Sequence, residues 1–345
     1  MNPISEKLIA WYKQNKRDLP WRNTSDPYKI WLSEIMLQQT QVAQGLSYYV
    51  KFTETFPTIV DLAKAPEDTV MRLWQGLGYY SRARNLHAAA KEVASAYKGK
   101  FPNTYDSIKS LKGVGDYTAA AISSLAFNLP HAVVDGNVYR VLARLYNLHT
   151  PINSGVGKKE FQLLADELLN KKQPGLHNSA MMEFGALWCK PQNPKCETCP
   201  VQEHCLAFAN NTVAELPVKD KKTKIRDRYF HYFVFNYKDC VYIQKREAKD
   251  IWQNLYEFYL VETDEPKDPE VLLKHKAIKA LAKKFKVVSV TPLKKHILSH
   301  QHLYATFYEL SIDAPLHSKV LQKIKRSALN DFGIPQLLTK YLTLK

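Results

Sequence analysis

The sequence predicts two domains of different class: a mainly α-helical domain with a four-cysteine loop near its end, then a smaller α+β domain. Three observations predict it. From about residue 5 to 210 apolar residues recur at helical spacing, broken by Gly and Pro. After residue 228 the apolar runs become β-branched and aromatic. The chain has 345 residues, more than one compact core usually holds. The expected boundaries are 1–215 for the helical domain with its loop at 189–205, 216–228 for a linker, and 229–345 for the second domain.

In chain order, Pro27 opens a helix expected to run through Gln44, and Pro66 opens another that ends near Gly76-Leu77-Gly78. Further helices are expected over 81–97, 116–127, 136–146, 158–170 and 178–188. The run from Pro217 to Arg228 is highly charged and reads as an exposed linker that also suits phosphate contact. Strands are expected at 229–235, 240–245, 256–261 and 304–310, with 271–285 as a single amphipathic helix among them. No internal repeat or low-complexity tract is present.

Composition bounds the partners. Hydrophobic residues make up 45%, which excludes wholesale disorder. Lys plus Arg outnumber Asp plus Glu by 49 to 33, a net charge of +16. Such an excess suits a polyanion, because neutralising phosphates releases counterions. Charge alone leaves a merely soluble basic protein open. No apolar run is long enough to span a bilayer. The stretch 1–20 contains Glu6, Lys7, Lys13 and Lys16 and does not read as a signal peptide. Five cysteines in such a chain do not suggest a disulfide framework. Cys240, in a strand-like run, reads as a buried thiol.

The other four form Cys189-x6-Cys196-x2-Cys199-x5-Cys205. Thiolates are soft ligands that both zinc and iron–sulfur clusters accept. Structural zinc usually pairs its ligands in two short knuckles. Here there is one such pair, and the outer ligands stand six and five residues away, which favours a loop wrapped around a cluster. Leu111-Lys-Gly113-Val-Gly115-Asp-Tyr117-Thr118 sits between two helical runs. Its glycines permit a tight turn, and the following helix offers free N–H groups to a phosphate. An ordinary helix–helix connection is the other reading. Asp135, in Val134-Asp-Gly-Asn137-Val138, reads first as a helix N-cap. Glu34, in Ile30-Trp-Leu-Ser-Glu-Ile-Met-Leu-Gln-Gln39-Thr40, has mostly apolar i±3 and i±4 neighbours, so burial should raise its pKa. A partner-satisfied glutamate at the edge of the stripe is the alternative.

The cysteine spacing after a helical domain resembles the endonuclease III and MutY superfamily of DNA glycosylases. The resemblance is close from about Lys16 to Phe208 and looser beyond. It implies a [4Fe-4S] cluster on the four cysteines, with Lys190 and Lys195 offered to DNA, and a helix–hairpin–helix that grips the backbone through Gly113 and Gly115. It makes Asp135 the carboxylate that stabilises an oxocarbenium sugar. The Ser-Glu-x-Met-Leu-Gln-Gln-Thr frame resembles MutY-type adenine DNA glycosylases in particular, where that glutamate protonates the leaving adenine. Leu19-Pro-Trp-Arg22 and Gly76-Leu-Gly-Tyr-Tyr-Ser-Arg82 also match. By resemblance Arg22 lines the adenine pocket, while Gln39 and Tyr79 insert beside the lesion pair; a plain core role is the rival for Tyr79. Where lyase relatives carry a nucleophilic lysine this chain has Tyr117, so strand cleavage should be absent or weak. Asp116 departs from the family's more usual proline or basic residue and adds negative charge near the hairpin.

The second domain resembles a Nudix-like fold through Trp252-x-x-x-Tyr256-Glu-Phe258. The helix that would carry magnesium-binding glutamates carries lysines instead, so recognition rather than hydrolysis is expected. Lys295-His-Ile-Leu-Ser299-His300-Gln-His302 resembles the loop by which MutY enzymes sense 8-oxoguanine, with Leu298 in place of phenylalanine. A polar hairpin before a strand is the plain alternative.

The resemblance thus implies a monofunctional adenine glycosylase of base excision repair. Its substrate would be duplex DNA with an A:8-oxoguanine or A:G mispair. Glu34 and Asp135 would do the chemistry, with Tyr117 and Asn137 holding their geometry. The protein would be a monomer, bacterial in type, cytoplasmic and nucleoid-associated. A thymine- or pyrimidine-directed glycosylase is the enzymatic alternative. An iron–sulfur DNA-binding module with a dead site is the non-enzymatic one, and intact Glu34 and Asp135 argue against it.

Overall fold

Asn2 caps the first helix, α1 (Pro3–Asn15), its side chain accepting from the N–H of Ile4 at 2.9 Å. The computed structural model describes residues 2–220, 225–293 and 295–344. After α1 come α2 (Pro27–Leu37), α3 (Val42–Thr55), α4 (Ile59–Lys64), α5 (Glu67–Leu73), α6 (Ser81–Ala96) and α7 (Tyr105–Lys109). They are followed by α8 (Asp116–Phe127), α9 (Gly136–Leu145), α10 (Gly155–Leu168), α11 (Pro174–Leu187) and α12 (Leu206–Ala209).

The chain divides into two compact units. One comprises Met1–Lys64 and Asn85–Lys221, the other Ala65–Arg84 and Lys222–Lys345. Grouping 65–84 with the strands is not visible in chain order. Within that second unit Asp68 accepts from Lys245 Nζ at 2.8 Å and from the Tyr256 hydroxyl at 3.2 Å. Arg84 Nη1 donates to the carbonyl of Gln253 at 2.7 Å, and Gln75 Nε2 donates to Thr339 Oγ1 at 3.2 Å. Residues 221–224 of the expected linker lie outside the described residues.

In the helical unit α11 packs against α1, α8 and α9, and α8 packs also on α2. Ala119, Ala120 and Ala121 are buried on α8 and keep its surface low enough for these neighbours. Gly185 does the same for α11: a Cβ there would stand 2.7 Å from Asn137 Cβ and 2.9 Å from its carbonyl. The continuous helix expected from Pro27 to Gln44 is instead two. α2 stops at Leu37, Gln39 turns to φ 55°, and α3 starts at Val42. Periodicity carries across the break because Leu37 and Val42 are both apolar, so the pattern alone does not register the backbone excursion.

The second unit is built on a mixed sheet. Its strands are β1 (Arg226–Tyr237), β2 (Cys240–Lys245), β3 (Tyr256–Glu257), β4 (Tyr259–Thr263), β5 (Lys286–Pro292), β6 (His296–Ile297), β7 (Gln301–Ser311) and β8 (Gln322–Lys325). The main path runs β3-β2-β1-β7-β5, with β1 and β7 parallel from Arg226↔Gln301 to Asn236↔Ser311. Phe230 to Phe235 are all buried, the mark of a central strand covered on both faces. Register partners stack: Tyr232 on Phe307 at 4.9 Å and Phe233 on Tyr308 at 4.9 Å.

Two expectations change here. The single helix over 271–285 is two short ones, α13 (Pro269–Leu273) and α14 (Lys276–Leu281), because His275 takes extended backbone and caps the second through Nδ1. Cys240 is partly exposed rather than buried, since it opens β2 at the hairpin with Tyr237. α15 (Gln336–Leu342) closes the unit, its Tyr341 ring stacked on Phe307 at 4.0 Å. Among the described residues no helix is long and apolar enough to cross a membrane.

Candidate active site

A cavity of about 590 Å³ opens in the helical unit, and Arg22, Glu34, Tyr117, Asp135, Asn137 and Glu183 all line it. Gln39 lines it too. Glu34 comes from α2 and is only 9% exposed. Burial pushes its pKa up to about 7, the nearby Asp135 charge adds to this, and the Tyr117 hydroxyl and Arg22 oppose it. That carboxyl keeps a proton near neutrality.

Asp135 is the N-cap of α9, as its sequence setting suggests. Its Oδ1 accepts from the N–H groups of Asn137 at 2.9 Å and Val138 at 2.8 Å, and its Oδ2 accepts from Asn137 Nδ2 at 2.9 Å. Burial raises its pKa, while those N–H groups favour the anion. Capping and a part in the cavity are therefore compatible: Asp135 serves the helix and lines the same pocket as Glu34. Tyr117, in the first turn of α8, is half-buried and lines the same cavity as the two carboxyls. Burial and then the Glu34 and Asp135 charges hold its hydroxyl protonated, and it also reaches Met182 Sδ at 3.4 Å.

Three further groups organise the site, and sequence reading did not single them out. Arg140, one turn into α9, donates to Asn137 Oδ1 at 2.9 Å, to the carbonyl of Gly185 at 2.7 Å and to that of Cys189 at 2.8 Å. Arg144, a turn later, donates to Cys189 Sγ at 3.3 Å and to the Lys190 carbonyl at 2.7 Å. Their i, i+4 spacing behind Asp135 was the available signal. Glu183, on α11, is fully buried and binds Arg17 and Arg22. Nothing local to its sequence marks it.

The four loop cysteines all lie half-buried and free. Burial raises the Cys199 pKa to about 11, and Cys189, Cys205 and Cys196 each add to it. Four sulfurs this close resist ionising together without a cationic core. Yet among the described residues no trio of His, Cys, Asp or Glu converges on a single ion. An all-sulfur set of four cysteine donors on one loop fits an iron–sulfur cluster. Beside it Lys195 Nζ sits over the Trp188 ring at 4.6 Å.

In the hairpin before α8, Gly113 takes φ 82°, and a Cβ there would meet Asn85 Cβ at 2.7 Å. Gly115 caps α8 without a side-chain partner, leaving its first N–H groups to the outside. The departure at Asp116 is answered locally: Lys109 pairs with it at 2.5 Å and the Tyr105 hydroxyl donates to it at 2.9 Å. Those contacts hold its carboxyl low and offset the charge.

In the second unit a separate cavity of about 500 Å³ is lined by Tyr79, Arg84, Trp252, Ser299 and His300. Tyr79 is 45% exposed, so it is no core residue, and its hydroxyl hydrogen-bonds that of Ser299. Ser299 and His300 form the turn between β6 and β7, pinned by Leu298 N–H donating to the Gln301 carbonyl at 2.8 Å. Tyr79 (φ 47°) and Gln39 (φ 55°) both hold left-handed backbone. For a side-chain-bearing residue that costs about 1–3 kcal/mol and tends to mark functional positions.

Residues 32–166 match the HhH-GPD superfamily base excision DNA repair proteins, 189–205 the iron-sulfur binding domain of endonuclease III, and 231–344 the NUDIX domain. The chain is 35% identical to an adenine DNA glycosylase of Buchnera aphidicola subsp. Baizongia pistaciae, covering 87% of this chain and 83% of that one. A second, from Buchnera aphidicola subsp. Schizaphis graminum, is 31% identical over 99% and 98% of the two chains. That of Mus musculus is 44% identical over 58% of this chain and 41% of its own. Among solved structures a thermostable thymine-DNA glycosylase superposes with TM-score 0.56 at 31% identity, covering 60% of this chain and 95% of that one. A non-covalent endonuclease III–DNA complex shares the fold at TM-score 0.51 and 23% identity, over 60% and 94%.

Proposed function

This chain belongs to the MutY-type adenine DNA glycosylases, and from that premise we propose that it excises adenine standing opposite 8-oxoguanine or guanine in duplex DNA. It is a DNA N-glycosylase, a hydrolase of base excision repair with an iron–sulfur cluster. The observation that carries the mechanism is a buried Glu34, its pKa raised to about 7 by burial, sharing one cavity with Asp135.

The adenine leaves the stack and enters that cavity, a step that a mispair makes less costly. Arg22 lines the pocket that receives it. Glu34 gives its proton to the departing base, so the electron pair of the glycosidic bond leaves with neutral adenine. The sugar is left as a cation, which the Asp135 carboxylate stabilises at short range, with Tyr117 and Asn137 fixing the geometry. Glu34, now a carboxylate, takes a proton from water as the water oxygen bonds to the sugar carbon. The products are free adenine and an abasic site. No lysine stands at Tyr117, so the reaction ends there without strand cleavage.

Cys189, Cys196, Cys199 and Cys205 would hold the cluster, which supplies a cross-link for the loop when bound. Gly113, Gly115, Lys190 and Lys195 take backbone phosphates, and Gln39 and Tyr79 enter the stack beside the lesion pair. Ser299 and His300 read the oxidised purine. We place the enzyme as a monomer on nucleoid DNA of the cytoplasm; of the expected linker 216–228, Arg226, Asp227 and Arg228 belong to β1 instead.

Single-turnover base release over a panel of duplexes tests the reading. Adenine release fastest opposite 8-oxoguanine, slower opposite guanine and negligible from A:T is expected. Release of thymine from T:G instead would favour the thymine-directed alternative, for which the likeness to a thymine-DNA glycosylase speaks.

A further inference from the structure

Glu183 is a buried carboxylate that the chemistry above does not use. Its two oxygens accept five hydrogen bonds: Arg17 N–H at 2.9 Å, Arg17 Nε at 2.9 Å, Arg17 Nη2 at 2.6 Å, Arg22 Nη1 at 2.6 Å and Arg22 Nη2 at 2.5 Å. Burial alone would raise its pKa, but the Arg22 and Arg17 hydrogen bonds outweigh it and hold the group down at about 2. The anion is therefore permanent. Arg22 also donates to the Arg17 carbonyl at 3.2 Å and lies over the Tyr12 ring at 5.7 Å, so its plane is fixed on several sides.

Arg22 is a cation felt at Glu34, where it favours the charged form. The other charged or titratable groups facing that carboxyl are Tyr117 from α8 and Asp135 at the cap of α9, while Tyr12 from α1 and Lys16 and Arg17 just after that helix line the same cavity. An unpaired guanidinium there favours the carboxylate over the acid. We propose that Glu183 is a positioning residue of the active site: it clamps Arg22 against the base pocket and offsets part of the guanidinium charge there, so that Glu34 keeps the proton it must deliver. The proposal rests on the reading of Glu34 as the acid.

The full-length enzyme tests it through the alkaline limb of the single-turnover rate against pH. Glu183→Gln uncovers the Arg22 charge and should move that limb to lower pH by about one unit. Arg22→Met removes one of the two guanidinium charges while Glu183 stays bonded to Arg17, and should move it the other way, whatever the loss of rate. Arg22→Met combined with Glu183→Gln removes both charges and should bring the limb back to its wild-type position. A limb unmoved in folded Glu183→Gln overturns the proposal. Should that variant not fold, a double variant whose limb stays with Arg22→Met overturns it equally. Glu34→Gln run alongside separates the two levels: undiminished base release there overturns the acid reading and this inference together, whereas a loss of release with an unmoved limb overturns the inference alone.

Discussion

The hydroxyls of Tyr79 and Ser299, 220 residues apart in the chain, share a hydrogen bond. Tyr79 reaches it from a left-handed backbone, and Ser299 from the exposed turn between β6 and β7. The residue proposed to enter the stack beside the lesion pair and the one proposed to read the lesion thus belong to the same compact unit. Changing Ser299 and His300 together to alanine should flatten the preference for 8-oxoguanine over guanine by about tenfold, the scale of a lost hydrogen bond or two. Tyr79→Phe should move it in the same direction by less. Relative single-turnover rates on the two duplexes measure this, and unchanged discrimination in the double variant would place lesion reading elsewhere. Substitution is a cleaner test than deleting residues 228–345, because deletion also strips the partners of 65–84.

Glu34→Gln and Asp135→Asn should each slow adenine release by about two to four orders of magnitude while leaving mispair binding largely intact. The glutamine cannot supply a proton, and the asparagine cannot offset the sugar cation. Gel-shift affinity beside single-turnover rate separates chemistry from binding. Near-normal release by Glu34→Gln would make that carboxyl structural.

Proton linkage predicts opposite trends for two buried glutamates. Glu34 is raised from 4.5 to about 7, so the folded state holds its proton more tightly than the unfolded chain. Its contribution is full below pH 4.5 and is lost as pH rises through about 7, roughly 3 kcal/mol in total. Glu183 is lowered from 4.5 to about 2, so its contribution is full above pH 4.5 and disappears as pH falls toward 2. Denaturant midpoints from pH 4 to 8 should therefore fall less steeply in Glu34→Gln than in wild type. Base release should decline above about pH 7 as the acid loses its proton.

Purified protein should be yellow-brown, with broad absorbance near about 400 nm from the iron–sulfur chromophore. Cys199→Ser should lose the colour and weaken DNA binding. Because Arg140 and Arg144 tie Cys189 to the helix that Asp135 caps, some loss of rate should accompany it. A colourless, active protein holding one zinc per chain would contradict the assignment.

Tyr117 stands where a lyase would need an amine. Borohydride should trap little enzyme–DNA adduct, and heat or alkali should be needed to nick the product. Efficient trapping by the wild-type enzyme would overturn the monofunctional reading.

Much of the site was legible because its signals are local. Cysteine spacing within 189–205, the glycines of the hairpin and the Asp135 cap each act within a few residues, so sequence order records them. Glu34's burial was legible too, since three of its four i±3 and i±4 neighbours, Ile30, Trp31 and Leu37, are apolar. Gln39 and Tyr79 were marked only by likeness, and their left-handed backbone appeared only with the fold.

The sequence by itself carried the likeness to the family in its motifs, and it determined the helical and α+β classes and the thiol donor set. The classes and the donor set depend on composition, period and spacing along the chain. Tertiary structure alone decided that 65–84 folds with the strands, that α2 ends at Leu37, and that 271–285 breaks at His275. It alone brought Arg17, Arg22 and Glu183 onto one buried carboxylate across more than 160 residues. An ion pair of that kind is set by desolvation and by which helices meet, and neither leaves a periodic trace in the chain.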